Sequence, residues 1–256
     1  MIRAALLDLA GVVYQGKQAL PGAVDAVATL RGAGLRLLFL TNTTRTPKRA
    51  LLQRLNDMGV PIADEELFTP AHAARTWLGA RKLTPHLLIH PDLTEDFAGL
   101  AGGNGIAVVV GDAAQGFTYE AMNTAFRKLL SGAEFVALAR NRTFKDDDGE
   151  ITLDAGAFVA ALEYGCQREA ILLGKPSPEF FAAALTSAEC SGKEAVMVGD
   201  DAEADVAGAL LAGIGSALLV RTGKYRPGDE TKVTPAPSAT VDDLAAAVRW
   251  LIELRT

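Results

Sequence analysis

The chain has 256 residues, 49% of them hydrophobic and 22% charged, with a formal net charge of −6. That balance describes a globular protein long enough for one or two domains and excludes a disordered chain. The negative charge and scattered Lys and Arg residues exclude a nucleic-acid surface, and no window reaches the roughly 18 apolar residues of a membrane span.

The opening MIRAALLDLAG has one Arg and no signal-peptide cleavage pattern, and it runs directly into a strand. IRAALLD (2–8) is a short aliphatic run bounded by turn residues, as suits a strand buried on both faces. PGAVDAVATLRGAG then reads as a helix, with Pro21 at its start and Gly32 and Gly34 at its end. LRLLFLT (35–41) completes a βαβ unit, which predicts a parallel sheet. Between 79 and 174 the runs LLIHP, IAVVV, FVALA and AILLG alternate with helices such as YEAMNTAFRKLL and DAGAFVAALEY. We read that stretch as a second α/β unit inserted into the first. AVMVG (195–199) and SALLV (216–220) resume the first sheet. TVDDLAAAVRWLIEL closes it with a helix, Thr240 and Asp243 standing at capping-box spacing. PAPS (235–238) is a surface loop, and no internal repeat is present. Cys166 and Cys190 form no CxxC or ligand spacing, so free thiols and a cytoplasmic location are expected.

Ligands of open parallel sheets sit beyond the carboxyl ends of the strands. The first strand delivers Asp8 there, and the second delivers Thr41, followed by Asn42, Thr43 and Thr44. AVMVGDDAEADV delivers Asp200 and Asp201, with Asp205 further on, and Gly174 leads into Lys175 ahead of PSPEFF. A carboxylate nucleophile, hydroxyl and amide donors, a cation and a second carboxylate make a phosphoryl-transfer set. Paired carboxylates with a carbonyl and waters suit octahedral Mg²⁺.

Each piece also has an ordinary structural use. Asp at a strand end is often a cap, TNTT can precede a helix, and GDD can be a turn. GKPS is not a P-loop, because Glu169 occupies the first glycine position and Pro176 interrupts the motif. KDDDGE (145–150) is not an EF-hand, since Phe144 falls on its first ligand position, and a hairpin turn at Asp148-Gly149 is expected instead. RGAGLR precedes a strand, so it is no dinucleotide fingerprint, and His72, His86 and His90 have no metal spacing. Order and position at successive strand ends separate the four-part set from these uses.

The order DLAGVVY, TNTTR, GKPSPEFF, GDDAEADV resembles the four motifs of the haloacid dehalogenase (HAD) superfamily, most of whose members are phosphatases. The insertion between the second and third motifs resembles class IIA, the NagD-like group. VVVGDAAQGFTYEAMNTAFRKLL, LDAGAFVAALEYGCQREA and LLVRTGKYRPGDE are similar to the branch of phospholysine phosphohistidine inorganic pyrophosphate phosphatase and its HAD-like hydrolase-domain relatives. The resemblance implies an α/β fold: a Rossmann-like three-layer parallel-sheet core (1–78 and 175–256) with an inserted α/β cap domain (79–174). It implies Asp8 as nucleophile and Mg²⁺ ligand, with the Ala10 carbonyl and Asp200 as further ligands and Asp205 behind them. Thr41, Asn42 and Lys175 would bind the phosphoryl group, and the cap loop of Asp154, Ala155, Gly156 and Ala157 would meet the leaving group. The implied partner is a small phosphorylated molecule, with no nucleic acid or membrane, and a homodimer is compatible with the sequence.

Ala10 is the departure. Most of the superfamily carries Asp there, to protonate the leaving oxygen and then activate water, and the named branch commonly carries Ser. A positioned acid–base contributes roughly 10²–10⁴-fold, so activity is expected to be low on esters of ordinary alcohols. Phosphoramidates, acyl and aryl phosphates and pyrophosphate need less leaving-group help. The phosphonate-cleaving members also carry Ala here, but their cap and catalytic lysine differ. The alternative function is a pseudo-phosphatase that binds phosphoryl groups or acts as a scaffold. A receiver-like phosphoacceptor shares the acidic pair, Thr and Lys, but this chain carries a whole extra domain.

Overall fold

The aliphatic runs pair into two separate parallel sheets in the computed structural model, which describes residues 2–145 and 150–254. The first part of the chain forms β1 (Ala4–Asp8), β2 (Tyr14–Gln15), β3 (Gln18–Ala19), α1 (Ala23–Gly32), β4 (Arg36–Leu40), α2 (Lys48–Asp57) and β5 (Leu67–Phe68). Next come α3 (Pro70–Arg81), β6 (Leu83–Leu88), β7 (Gly105–Val110), α4 (Tyr119–Leu130), β8 (Glu134–Ala137), β9 (Thr143–Lys145), β10 (Ile151–Leu153), α5 (Ala155–Cys166) and β11 (Ile171–Leu172). The chain ends through α6 (Pro178–Ser187), β12 (Ala195–Gly199), α7 (Gly208–Leu211), β13 (Ser216–Val220), β14 (Ala239–Val241) and α8 (Leu244–Glu253). Two compact units result: Met1–Thr41, Arg49–Phe68 and Lys175–Thr256 form one, and Asn42–Lys48 with Thr69–Gly174 form the other. The expected boundary at 79 falls inside α3, and the contacts assign that whole helix to the second unit.

The first unit holds a six-stranded sheet in the order β14-β13-β12-β1-β4-β5, every neighbouring pair parallel. The chain builds outward from β1 in both directions, which makes the carboxyl end of β1 the topological switch point. All five residues of β1 are buried, as its unbroken apolar run requires of a central parallel strand. On one face Ala5, Leu7, Val196, Val198 and Leu218 pack in a core with Val27 and Leu30 of α1 and Val248 and Leu251 of α8. The alternate residues Leu6, Met197 and Leu219 are equally buried, so helices cover the sheet on both sides. Phe180 of α6 tilts against Phe68 of β5 at 5.1 Å. Burying each such side chain contributes about 1.5–3 kcal/mol. Thr240 makes no capping box for α8. It lies within β14, and Asp243 alone caps the helix, accepting the Ala246 N–H at 2.8 Å.

The second unit has its own four-stranded parallel sheet, ordered β11-β8-β7-β6. Val108, Val110, Phe135 and Ala137 pack there with Ala125 and Leu129 of α4 and Val159 and Leu162 of α5. Strands β9 and β10 pair antiparallel. The turn expected at Asp148-Gly149 lies outside the described residues. Among the described residues no helix is long and apolar enough to cross a membrane.

Candidate active site

Three strand ends meet around Asp8. Register pairs Asp8 with Leu40, so Thr41 is the next residue on the β4 side, and Asp200 follows the end of β12 on the other. After Asp8 the chain turns tightly, with Gly11 at φ 92° donating its N–H to the Tyr14 carbonyl at 2.7 Å. Lys175 enters just ahead of α6, which Ser177 caps by accepting the Phe180 N–H and Pro178 opens at the first position.

The Lys175 ammonium group donates to Asp8 Oδ1 and lies 2.6 Å from Asp205 Oδ1. Its side chain is only 3% exposed. Carboxylate oxygens of Asp8, Asp200 and Asp205 lie within 4.8 Å of one another, all three residues buried. Burial pushes the Lys175 pKa down, but Asp205 and Asp8 outweigh that and hold it above the ordinary lysine value. Burial, with Asp8 and Asp205 beside it, pushes Asp200 up to about 7. Burial likewise raises Asp205, against the opposing pull of Lys175. Three buried carboxylates thus face one buried ammonium, an imbalance that a cation would relieve. Asp205 already has Lys175 at one oxygen and the Asp201 N–H at the other, 3.2 Å away. That leaves Asp8 and Asp200 as the carboxylates suited to a hard divalent cation, with the Ala10 carbonyl as a candidate third donor. Ala10 itself is exposed.

Four residues around Asp200 were not expected from the sequence. The Lys224 backbone N–H donates to Asp200 Oδ2 at 2.7 Å, and Lys224 Nζ donates to Asp201 Oδ2 at 3.2 Å. The Thr222 hydroxyl donates to the Gly11 carbonyl, and Gly223 packs against both Gly11 and Asp200 Oδ2. The cue was present in LLVRTGKYRPGDE: a Thr-Gly-Lys run one residue past the end of a strand that neighbours β12. Asp201 caps the π-helical turn Ala202–Ala207, accepting from Glu203 and Ala204, which fixes where Asp205 points. A cavity of about 300 Å³ opens beside Asp200, lined by Asp201, Lys224, Asp229 and Lys232.

The remaining expected residues belong to the second unit. Asn42 begins its 42–48 segment and sits next to Gly174, where a Cβ would come 3.1 Å from Asn42 Oδ1. Asp154 caps α5, accepting the Ala155 N–H at 2.6 Å, and burial raises its pKa. Gly156 lies so close to the carbonyls of Arg140 and Asn141 that a Cβ would overlap them. Both therefore have a folding role of their own. In the same unit, Arg45 of TNTTR pairs with buried Asp112 at 2.5 Å, and the Asp112 N–H donates to Thr44 Oγ1 at 3.1 Å.

Residues 5–103 match a family profile described as haloacid dehalogenase-like hydrolase, and residues 172–247 match one described as HAD-hydrolase-like. Phospholysine phosphohistidine inorganic pyrophosphate phosphatase of Danio rerio is 43% identical over 260 residues, covering 99% of this chain and 96% of the relative. Haloacid dehalogenase-like hydrolase domain-containing protein 2 of Rattus norvegicus is 40% identical over 253 residues, covering 99% and 97%. The solved structure of NagD from E. coli K-12 superposes with a TM-score of 0.86 at 25% identity, covering 95% of this chain and 97% of NagD. Identity of this extent along nearly the whole of both relatives places the protein: the chain belongs to the haloacid dehalogenase-like hydrolase family.

Proposed function

We propose that this chain is a Mg²⁺-dependent phosphatase that passes the phosphoryl group of small phosphorylated molecules through Asp8 to water. The observation that carries the proposal is the buried Asp8–Lys175 pair beside Asp200 at the switch point of the sheet. In the first step an Asp8 oxygen attacks phosphorus and the bond to the leaving atom breaks, its electron pair going with the leaving group. In the second, water attacks the aspartyl-phosphate, releasing phosphate and restoring Asp8. Lys175 and Thr41, with Asn42 adjacent in sequence, neutralise the phosphoryl oxygens. Asp8, Asp200 and the Ala10 carbonyl would hold Mg²⁺, with Asp205 acting on the site through Lys175. The bound cation would supply positive charge where a carboxylate must approach a phosphate anion.

Substrate preference follows from Ala10. No side chain at this position can protonate a leaving oxygen, so substrates whose leaving group needs little help are favoured: phosphoramidates, acyl and aryl phosphates, and pyrophosphate. The name of the Danio rerio relative cites phospholysine, phosphohistidine and inorganic pyrophosphate, which are substrates of this kind. The inserted segment, whose ends adjoin Thr41 and Lys175 in sequence, is assigned the role of a cap that selects the leaving group. The competing reading, a pseudo-phosphatase that binds phosphoryl groups without turnover, also draws on Ala10. Retention of Asp8 with its lysine partner speaks against it, because a binding module has little need of a nucleophile.

The test is a panel of aryl phosphate, acyl phosphate, phosphoramidate, pyrophosphate and alkyl phosphate with MgCl₂, alongside trapping with beryllium fluoride. Turnover that is lost with EDTA and ranked by leaving group supports the proposal. Beryllium fluoride binding with no turnover on any substrate would establish the pseudo-phosphatase instead.

A further inference from the structure

We propose that Gly11, Gly223 and the Lys224 backbone amide form a mould that fixes the Asp200 carboxylate as a one-oxygen metal ligand, with Thr222 holding the two walls together. The inference rests on the metal-site reading above and adds residues to it. Gly11 and Gly223 approach Asp200 Oδ2 from different chain segments, and a Cβ on either would overlap that oxygen. A Cβ on Gly11 would also stand 2.8 Å from the Gly223 Cα, so the two backbones are in close contact. Both glycines have positive φ, 92° and 61°. The Lys224 N–H then caps the same oxygen at 2.7 Å. With Oδ2 packed against the two adjoining glycine backbones and hydrogen-bonded by the Lys224 N–H, Oδ1 is the oxygen left to meet a cation. The Thr222 hydroxyl, donating to the Gly11 carbonyl, ties the loop after β13 to the turn after β1. The Lys224 side chain extends the arrangement through Asp201, the cap of the turn that bears Asp205. These are positioning residues: they act through Asp200 and touch no substrate.

The experiment is isothermal titration of the metal-stripped full chain with MgCl₂, with thermal melts to check folding. Gly223→Ala is expected to weaken Mg²⁺ binding by about 10–100-fold, the usual cost of disturbing groups that orient a metal ligand. Gly16→Ala is the matched control, since Gly16 also has positive φ (60°) but nothing stands within 4 Å of its Cβ position. It is expected to bind Mg²⁺ like the parent chain. Should Gly223→Ala not fold, Thr222→Val carries the test, because it removes only the hydroxyl tie, while Thr222→Ser restores it. Weakened binding in Thr222→Val and normal binding in Thr222→Ser supports the mould. Unchanged Mg²⁺ affinity in both Gly223→Ala and Thr222→Val, or an equal loss in Gly16→Ala, overturns it while leaving the metal site standing. A parent chain that binds no Mg²⁺ overturns both readings together.

Discussion

Asp8 and Lys175 are 167 positions apart in sequence yet form a buried ion pair, Lys175 Nζ donating to Asp8 Oδ1. Lys175 also faces Asp205 at 2.6 Å, so one ammonium offsets two carboxylates, with Asp200 close by. Lys175→Met should therefore destabilise the metal-free protein by about 3–5 kcal/mol, the cost of leaving buried charge uncompensated. Added MgCl₂ should recover part of that loss. Denaturant unfolding with and without the metal measures both effects, and a variant as stable as the parent would show that the pair contributes nothing to folding.

Asp8→Asn separates chemistry from folding. It keeps the side-chain volume at the switch point but removes the proposed nucleophile and one negative charge. Turnover of an aryl phosphate should fall by roughly a thousandfold or more, as when an enzyme loses its nucleophile. The melting temperature should stay close to that of the parent. Residual activity near the parent level would exclude an aspartyl-phosphate on Asp8.

Much of this site was legible because the sheet is parallel and buried. Strands such as AALLD and AVMVG are short aliphatic runs with both ends marked, and their carboxyl ends deliver Asp8 and Asp200 in an order readable from the chain alone. The loop from Thr222 to Lys224 was less legible, because its main use of polarity is a backbone N–H that every residue except proline carries. Asp154 and Gly156 stand at a loop-to-helix junction where a cap and a close-packed glycine look the same in sequence as a ligand loop. The assignment of 42–48 to the second unit was hidden for another reason. It depends on long-range partners, Asp112 for Arg45 and Asp96 for the Lys48 N–H, which no local pattern announces.

Magnesium stabilisation should depend on pH. In the metal-free fold Asp200 is raised to about 7, whereas in the unfolded chain it lies near the ordinary carboxylate value of about 3.9. Its contribution to stability is then fully present below the unfolded value and is lost as pH rises through about 7. Mg²⁺ needs the ionised form, so the rise in melting temperature on adding MgCl₂ should be larger at pH 8 than at pH 6. Equal shifts at the two pH values would mean that Asp200 is not among the ligands.

Two substitutions at Asp154 can divide its folding role from a role in substrate choice. Asp154→Ala removes the α5 cap and should cost about 1 kcal/mol, while Asp154→Asn keeps an oxygen able to accept the Ala155 N–H. If the loop selects the leaving group, Asp154→Asn should change relative kcat/KM values across the substrate panel with Mg²⁺ affinity unchanged. A uniform effect on all substrates would confine Asp154 to capping the helix.

Ala10 offers the most direct probe of mechanism, because a missing group can be supplied. The residue is exposed, so a carboxylate there stays solvated and should not disturb the core. Ala10→Asp should raise turnover, most for alkyl phosphates, whose alkoxide leaves poorly without a proton. A restored acid–base is worth roughly 10²–10⁴-fold where proton transfer limits the rate. Aryl and acyl phosphates should gain less in the first step, because their leaving groups carry the charge themselves. Any gain common to all substrates would report faster hydrolysis of the aspartyl-phosphate, and burst kinetics separate the two steps. The new carboxylate also adds negative charge near Asp8 and Asp200, which opposes ionisation of its neighbours. Rates should therefore be compared across a pH range with MgCl₂ saturating. If both steps are unchanged at every pH while Mg²⁺ still binds, position 10 is not where the acid–base is missing, and the proposed preference for good leaving groups loses its basis.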